Sequence, residues 1–282
     1  MTDKGTILVL GGTGKTGRRV AERLTARGLA LRIGSRSAEP PFDWEEDATW
    51  ALAVRGVESA YITYYPDLAF PGAADKVRSF AAVAVENGVR HLVLLSGRNE
   101  AGALRAEQAV QESGVDWTVV RSSFMNQNFD EGFWVDSLLS GELAAPAGDV
   151  ADPFIDADDI ADVAVAALAG DAPSGQVYEV TGPRLLTFGD AVGEIARAIG
   201  REIRYVPVSS KEFQDGMIQA GVPADFARDL TALFAEVLDG RSSYLSDGVK
   251  RALGREPKDF SDYAREVAAT GVWDPVAVPG PR

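Results

Sequence analysis

Near the start of the chain, the apolar run Ile7-Leu8-Val9-Leu10 breaks directly into Gly11-Gly12-Thr13-Gly14-Lys15-Thr16-Gly17. An apolar run, clustered glycines and then a helical pattern describe a strand–turn–helix unit built around a phosphate. Two phosphate loops end in this way. The triphosphate loop reads G-x-x-x-x-G-K-[ST], and Gly14-Lys15-Thr16 matches its tail. Its leading glycine would then fall on Val9, inside the strand, so the long backbone nest that wraps a β-phosphate is not available. The dinucleotide turn fits twice: Gly12, Gly14 and Gly17 satisfy G-x-G-x-x-G, and Gly11, Gly14 and Gly17 satisfy G-x-x-G-x-x-G. Such a turn requires a tight bend, close approach of backbone to pyrophosphate and close helix–strand contact. These glycines, with Thr13, Lys15 and Thr16 beside them, are expected to hold the pyrophosphate at a helix N-terminus.

The following residues repeat the same alternation. Apolar runs at 6–10, 29–33, 57–63, 89–96 and 115–120 are separated by helical patterns at 15–27, 46–55, 72–87 and 100–113. Short loops between strands and helices imply βαβ units and a doubly wound parallel sheet. Between 34 and 45 the chain is polar and proline-rich, with room for at most a very short strand near Phe42. Beyond Arg121 the pattern loosens into a loop, a short amphipathic helix and a Gly/Ala/Pro-rich connection over 122–153. A helix over 157–170 follows, with Asp158 as expected N-cap and Gly170 as stop, then a strand at 176–180, a helix at 188–199 and a strand at 203–208. From Ser209 to Thr270 the chain is mostly helical. The expected architecture is α/β, a Rossmann-type doubly wound sheet with a smaller, mainly helical C-terminal substrate lobe. Residues 1–150 are expected to form the dinucleotide-binding part; 151–282 are expected to complete the sheet and build the lobe without forming an independent domain.

Composition excludes more than it identifies. There are no cysteines, hence no disulfide, thiolate metal site or cysteine nucleophile, and the single histidine, His91, rules out a multi-imidazole metal site. His91 sits at the N-terminal end of its strand, away from the end where ligands bind, and reads as structural. Asp156, Asp158 and Asp159 read as an acidic helix start rather than a metal site. No G-x-S-x-G is present, which argues against a Ser-His-Asp hydrolase. The net charge of −14, from 28 basic and 42 acidic side chains, would repel a nucleic-acid duplex. Neither a signal peptide nor a membrane helix is expected, and the cytoplasm is the expected location. Oligomeric state is left open.

Cofactor choice is read about 20 residues after the glycine turn. The acid that would bind a ribose hydroxyl is missing there; Ser35-Arg36 stands in its place, and a guanidinium suits a 2′-phosphate. NADP(H) is therefore expected over NAD(H), with Asp43 and Trp44 bordering the adenine, or Trp44 in the core.

GGTGKTGRRVAERL, Ser35-Arg36, 94-LLSG-97 and 118-TVVRSSFMNQNF-129 resemble the NmrA-like, atypical branch of the short-chain dehydrogenase/reductase superfamily. Within it, Asp43-Trp44, 153-PFIDADDIA-161, 181-TGPRLLTFGDA-191 and 248-GVKRALGREPKDF-260 are similar to the ergot-alkaloid (festuclavine/agroclavine) dehydrogenases. The resemblance covers nearly the whole chain. It implies NADP(H) and hydride transfer to an iminium or similar electrophile; similar proteins reduce quinones or dyes, and others are redox-sensing regulators without turnover.

Typical short-chain dehydrogenases use Tyr-x-x-x-Lys to protonate a nascent alkoxide. None of the seven tyrosines here has Lys four residues on, and Asn99 and Ala103 fall where the pair would lie. Without that acid, an iminium or quinone acceptor is favoured over a ketone. The remaining candidates end the apolar runs. Tyr64, Tyr65 and Ser96 are the candidate catalytic groups. Ser96, Gly97 and Ser122 are expected at the nicotinamide ribose. Arg98, Asn99, Phe124, Met125, Asn126 and Phe129 are expected to line the substrate pocket. The reading is an NADPH-dependent reductase of a small aromatic or conjugated substrate; the alternative is a non-catalytic NADP-sensing regulator acting through a protein partner.

Overall fold

Ile7, Leu8, Val9 and Leu10 are all buried, as a strand covered on both faces requires. They belong to a computed structural model that describes residues 5–275. The chain divides into two units that alternate along the sequence: the first comprises residues up to 123, 157–181 and 246–257, and the second 124–156, 182–245 and the segment from 258. The first segment runs β1 (Thr6–Leu10), α1 (Lys15–Ala26), β2 (Leu31–Gly34), α2 (Trp50–Val54), β3 (Val57–Ile62), α3 (Ala73–Glu86), β4 (His91–Gly97), α4 (Ala101–Gln111) and β5 (Asp116–Ser122). Residues 124–156 carry α5 (Val135–Ser140), β6 (Glu142–Ala145) and β7 (Ala151–Asp152). The first unit resumes with α6 (Ala157–Leu168) and β8 (Gln176–Val180). Then come β9 (Leu186–Thr187), α7 (Phe188–Ile199), β10 (Arg204–Pro207), α8 (Ser210–Gln219) and α9 (Ala224–Val237), before α10 (Gly248–Leu253) and α11 (Phe260–Ala268).

The first unit is the expected doubly wound sheet: six parallel strands in the order β2-β1-β3-β4-β5-β8. Alternation along the strands sorts the core. Leu8 and Leu10, Ala60 and Ile62, and Leu92 and Leu94 share one cluster with Val77, Phe80, Ala84, Ala106 and Val110 of the helices on that face. α1 and α6 pack against each other, and α6 also lies against β3, β4, β5 and β8. α6 starts at Ala157, so Asp158 sits inside its first turn rather than capping it.

The very short strand expected near Phe42 does not form. Pro40 and Pro41 carry no N–H to give a neighbouring strand, and the Phe42 N–H donates to the Ser35 carbonyl at 2.9 Å. Its ring instead enters an aromatic knot, 5.1 Å from Trp44 and 5.5 Å from Phe80, with Trp50 alongside. A bulky aromatic gains more from that burial than from a one-sided edge pairing.

The second unit is mainly helical, with two small sheets, β10–β6 parallel and β7–β9 antiparallel. Its core is aromatic: Phe129, Trp134, Phe154, Phe188, Phe234, Phe260 and Trp273 are buried together. A capping box starts α7, where Thr187 Oγ1 accepts from the Asp190 N–H and Asp190 accepts from the Thr187 N–H. Gly200 at φ 65° ends it. The segment 126–130 is held from α11 and beyond: Tyr263 donates to the Asn126 carbonyl at 2.8 Å, and Trp273 Nε1 donates to the Phe129 carbonyl at 3.0 Å. No helix among the described residues is long and apolar enough to cross a membrane.

Two outcomes check this packing. Phe80→Ala empties the centre of the aromatic knot and is expected to cost about 3–5 kcal/mol in chemical denaturation. His91, beside Thr118 Oγ1 at 3.1 Å, is held below the usual histidine range by burial, against the opposing pull of Asp116. The unfolded chain therefore takes up this proton first, so the His91 contribution is complete above about pH 6.5 and is lost as the pH falls through the folded-state midpoint. As the single histidine, it gives one NMR titration curve, and a midpoint at or above about 6.5 would contradict its placement.

Candidate functional site

The glycine turn sits at the point where the sheet reverses. From β1 the chain goes outward to β2 and then returns on the other side as β3, leaving a crevice at the C-terminal ends of β1 and β3. Gly11 bends the chain with φ 61°, and its N–H donates to the Gly34 carbonyl at 3.0 Å. The Gly14 N–H donates to the Gly11 carbonyl at 2.8 Å and closes the turn. α1 then crosses so near that a Cβ on Gly17 would lie 2.2 Å from the Gly11 oxygen. Thr16 is buried, whereas Thr13 and Gly14 are exposed and Lys15 half-buried. No side chain caps α1 and no acid occupies its first turn, so its positive end faces the turn without a competing anion. That shape suits a phosphate, and at Gly17 the backbone contact leaves no room for a side chain.

Around this turn, Thr63 follows β3 and its hydroxyl donates to the Leu10 carbonyl at 3.2 Å. Tyr64 is half-buried, 5.0 Å from the Trp44 ring. Burial pushes its phenol above the usual range; the Lys76 charge pulls it down and the Glu45 charge pushes it up. Tyr65 is exposed. Trp44 lies in the aromatic core and its Nε1 donates to the Thr63 carbonyl at 3.1 Å. Asp43 is spent on local turns: a carboxylate oxygen accepts from the Glu45 N–H at 3.0 Å, and its carbonyl accepts from Trp50 Nε1 at 2.7 Å.

Ser35 and Arg36 follow β2. The Ser35 carbonyl receives the Ala38 and Phe42 N–H groups, which folds the loop back. Arg36 is exposed and makes no ion pair or side-chain hydrogen bond among the described residues. Its neighbours differ: Arg19 and Arg23 bind Asp158, Arg27 binds Asp171, and Arg32 donates to the Ala53 carbonyl. Arg36 is thus a guanidinium at the crevice side of β2 with its donors available to an anion.

At the ends of β4 and β5 the structure brings together a group that was only half legible in sequence. The buried Ser96 hydroxyl donates to Glu107 of α4 at 2.6 Å. Arg121 grips the same carboxylate through Nε at 2.8 Å and Nη2 at 2.5 Å, and reaches Glu179 of β8 through Nη1 at 3.4 Å. Arg98, also buried, donates to the other Glu179 oxygen at 2.9 Å, so its guanidinium ties β4 to β8. Ser122 donates to the Ser96 carbonyl at 3.4 Å. Asn99 turns the chain at φ 59°, and Gly97 lies against the Glu100 carboxylate. Glu107 and Glu179 were missed. The available signal was Glu107 as an acid on the otherwise apolar face Ala103, Ala106, Val110 of a helix.

Phe124, Met125, Asn126 and Phe129 lie in the second unit. Phe124 is half-buried and stacks on Trp134 at 5.6 Å and on Phe234 at 5.9 Å. Met125 bridges Ile155. Asn126 is fully buried with its main chain held, and neither side-chain oxygen nor nitrogen has a hydrogen-bond partner among the described residues. Phe129 is fully buried in the aromatic core. The three acids considered for a metal are engaged with other groups: Asp158 with Arg19 and Arg23, Asp159 with Arg255 at 2.5 Å, and Asp156 with Gln127 and Lys258. A shallow groove among Ala26, Val165 and Leu253 opens at the other end of α1 and takes no part in the crevice.

No family model matches the sequence. Curated relatives match along nearly their whole length. An uncharacterised oxidoreductase of Bacillus subtilis is 33% identical, over 97% of this chain and 99% of its own. Agroclavine dehydrogenase of Claviceps fusiformis is 32% identical over 93% and 96%, and an NAD(P)H azoreductase of Xenophilus azovorans 30% over 93% and 98%. Among solved structures, an Escherichia coli quinone oxidoreductase complexed with NADPH superposes with a TM-score of 0.78 at 19% identity, covering 93% of this chain and 99% of that one. The negative transcriptional regulator NmrA, complexed with NADP, gives 0.74 at 19% identity, over 95% and 97%. At these identities the structures speak for the fold alone.

Gly17→Ala tests the cradle, because its methyl group forces α1 off the turn. The variant is expected to lose the thermal protection that added NADPH gives the parent protein, read by melting with and without the nucleotide. Undiminished protection would show that this turn is not where the nucleotide binds.

Proposed function

Because the chain belongs to the NmrA-like, atypical short-chain dehydrogenase/reductases, related to the ergot-alkaloid dehydrogenases, we propose that it is an NADPH-dependent reductase of small conjugated electrophiles, iminium or quinone in type. The observation that carries the reading is the Gly11–Gly17 cradle at the sheet reversal, with unpaired Arg36 beside it. The relatives named as oxidoreductases support the same class.

In this reading the Gly14–Gly17 backbone and the positive end of α1 receive the pyrophosphate, with Lys15 adding charge from the first turn. Arg36 reads the 2′-phosphate, which NAD lacks. NADPH, when bound, supplies the hydride. Ser96, Gly97 and Ser122 stand at the strand ends where the nicotinamide half is proposed to lie.

The acceptor follows from what the side chains can give. Ser96 has its proton committed to Glu107, and the Tyr64 phenol is pushed up rather than down. Neither is poised to protonate an alkoxide. An iminium becomes a neutral amine on taking hydride, and a quinone a resonance-stabilised phenolate, so both proceed with little acid help.

Two measurements check this reading. Steady-state NADPH oxidation against imine, quinone, azo and ketone panels should show turnover with the first classes and little with simple ketones; no turnover with any of them, together with tight NADP⁺ binding and a co-purifying protein, would favour the regulatory alternative. Arg36→Glu should weaken NADPH binding by about 10- to 100-fold, the equivalent of losing a charged hydrogen bond, while leaving NADH nearly unchanged. Equal weakening of both would refute the 2′-phosphate contact.

A further inference from the structure

Ser96, Arg121 and Glu179 stand directly opposite one another in register across β4, β5 and β8, one residue before the strands end. Glu107 from α4 closes this row at one side and Arg98 at the other. The charges alternate, Glu107, Arg121, Glu179, Arg98, with links of 2.5–3.4 Å. Glu107 and Arg98 are almost entirely buried. A carboxylate held by two N–H groups of one guanidinium is ionised, and an ionised carboxylate only accepts hydrogen bonds.

That fixes the proton of Ser96. A serine hydroxyl has one proton and two lone pairs, and here the proton is donated to Glu107 at 2.6 Å. Ser122, one row further on, likewise turns its proton inward, to the Ser96 carbonyl. Both hydroxyl oxygens at this edge of the sheet are therefore left as acceptors.

We infer that Glu107 is a positioning residue for ligand binding: by holding the Ser96 proton, it makes Ser96 a dedicated acceptor for a hydroxyl or amide N–H donor on the nicotinamide half of the cofactor, and removes Ser96 as a proton source. The inference rests on the NADP(H) reading above and deepens it. It assigns work to a buried acid on the core-facing side of α4 that acts through Ser96. Arg121 keeps Glu107 charged, and the Glu179–Arg98 pair neutralises Arg121 from behind, so the row stays fixed as one unit.

The test compares two ligands by direct binding: NADPH, and 2′,5′-ADP, which carries the adenosine and 2′-phosphate but no nicotinamide. Ser96→Ala and Glu107→Gln are each expected to weaken NADPH by about tenfold, one hydrogen bond, and to leave 2′,5′-ADP unchanged. The double variant should be no weaker than either single one, because both remove the same contact. Ser96→Thr, which keeps the hydroxyl, should restore NADPH affinity. A merely structural role for Glu107 would weaken both ligands or add to the Ser96→Ala loss, and either result overturns the inference. Glu107→Asp, which keeps the charge beside Arg121 but shortens the reach to Ser96, should show the same NADPH-selective loss, and a loss of 2′,5′-ADP binding in either Glu107 variant overturns the inference. A parent protein that binds neither ligand overturns the NADP(H) reading itself; a parent that binds both, with Ser96→Ala indistinguishable from it, overturns this inference alone.

Discussion

The contact between Gly17 and the Gly11 carbonyl decides where α1 can lie, and much of the first unit follows from it. With a Cβ position only 2.2 Å from that oxygen, the helix sits against the end of β1 at a distance that only a glycine permits. From there α1 carries Arg19 and Arg23 to Asp158 and Asp162 of α6, and Arg255, just beyond α10, reaches Asp159 and Asp162 of the same helix. α6 in turn covers β3, β4, β5 and β8. One close backbone approach thus sets both the phosphate cradle and the covering of a sheet face. Asp158, Asp159 and Asp162 serve the fold in the same way, their carboxylates meeting Arg19 and Arg23 of α1 and Arg255 just beyond α10.

The parallel sheet was legible because its strands are apolar runs separated by helices, of which α1, α3 and α4 are three to four turns long, and burial on both faces leaves that pattern little room to vary. The strands that escaped reading are short and lack a usable period. β6 is Glu142-Leu143-Ala144-Ala145, β7 and β9 are two residues each, and small or mixed side chains give no alternation to follow. Phe42 failed for the opposite reason: it is a strand-favouring residue whose tertiary aromatic contacts outweigh local preference. In the candidate site, the glycine turn and Arg36 were readable because local chemistry defines them. Glu107 and Glu179 were not, since their meaning depends on register between strands far apart in sequence. Asn126 was singled out by motif, but only the structure places its amide in a fully buried position with no partner among the described residues.

The two units put aromatic side chains to different uses. In the first, Trp44, Trp50, Phe42 and Phe80 meet mostly edge to face and hold the loop after β2, the segment that carries Ser35 and Arg36. Phe42 ties that loop back through its N–H to the Ser35 carbonyl, so the knot holds the backbone beside Arg36. In the second, Phe124, Trp134 and Phe234 stack nearly parallel, at 21–28°. Phe129, five residues on from Phe124, is instead sealed in the core.

The direction in which the tyrosine phenol is tuned bears on the chemistry as strongly as any missing motif. A catalytic tyrosine that protonates an alkoxide works best when a neighbouring ammonium lowers its pKa. Lys76 is close enough to Tyr64 to act in that sense, yet its ammonium is bound to Glu45 at 2.6 Å and to the Trp44 carbonyl at 2.9 Å. The carboxylate that holds the lysine pushes the phenol the other way, and burial against Trp44 dominates both. With Ser96 tied to Glu107 as well, neither side chain holds a proton poised for donation. The proposed acceptors are consistent with that, because an iminium or a quinone carries its new electron pair without needing a proton at the moment of transfer, whereas a ketone does not.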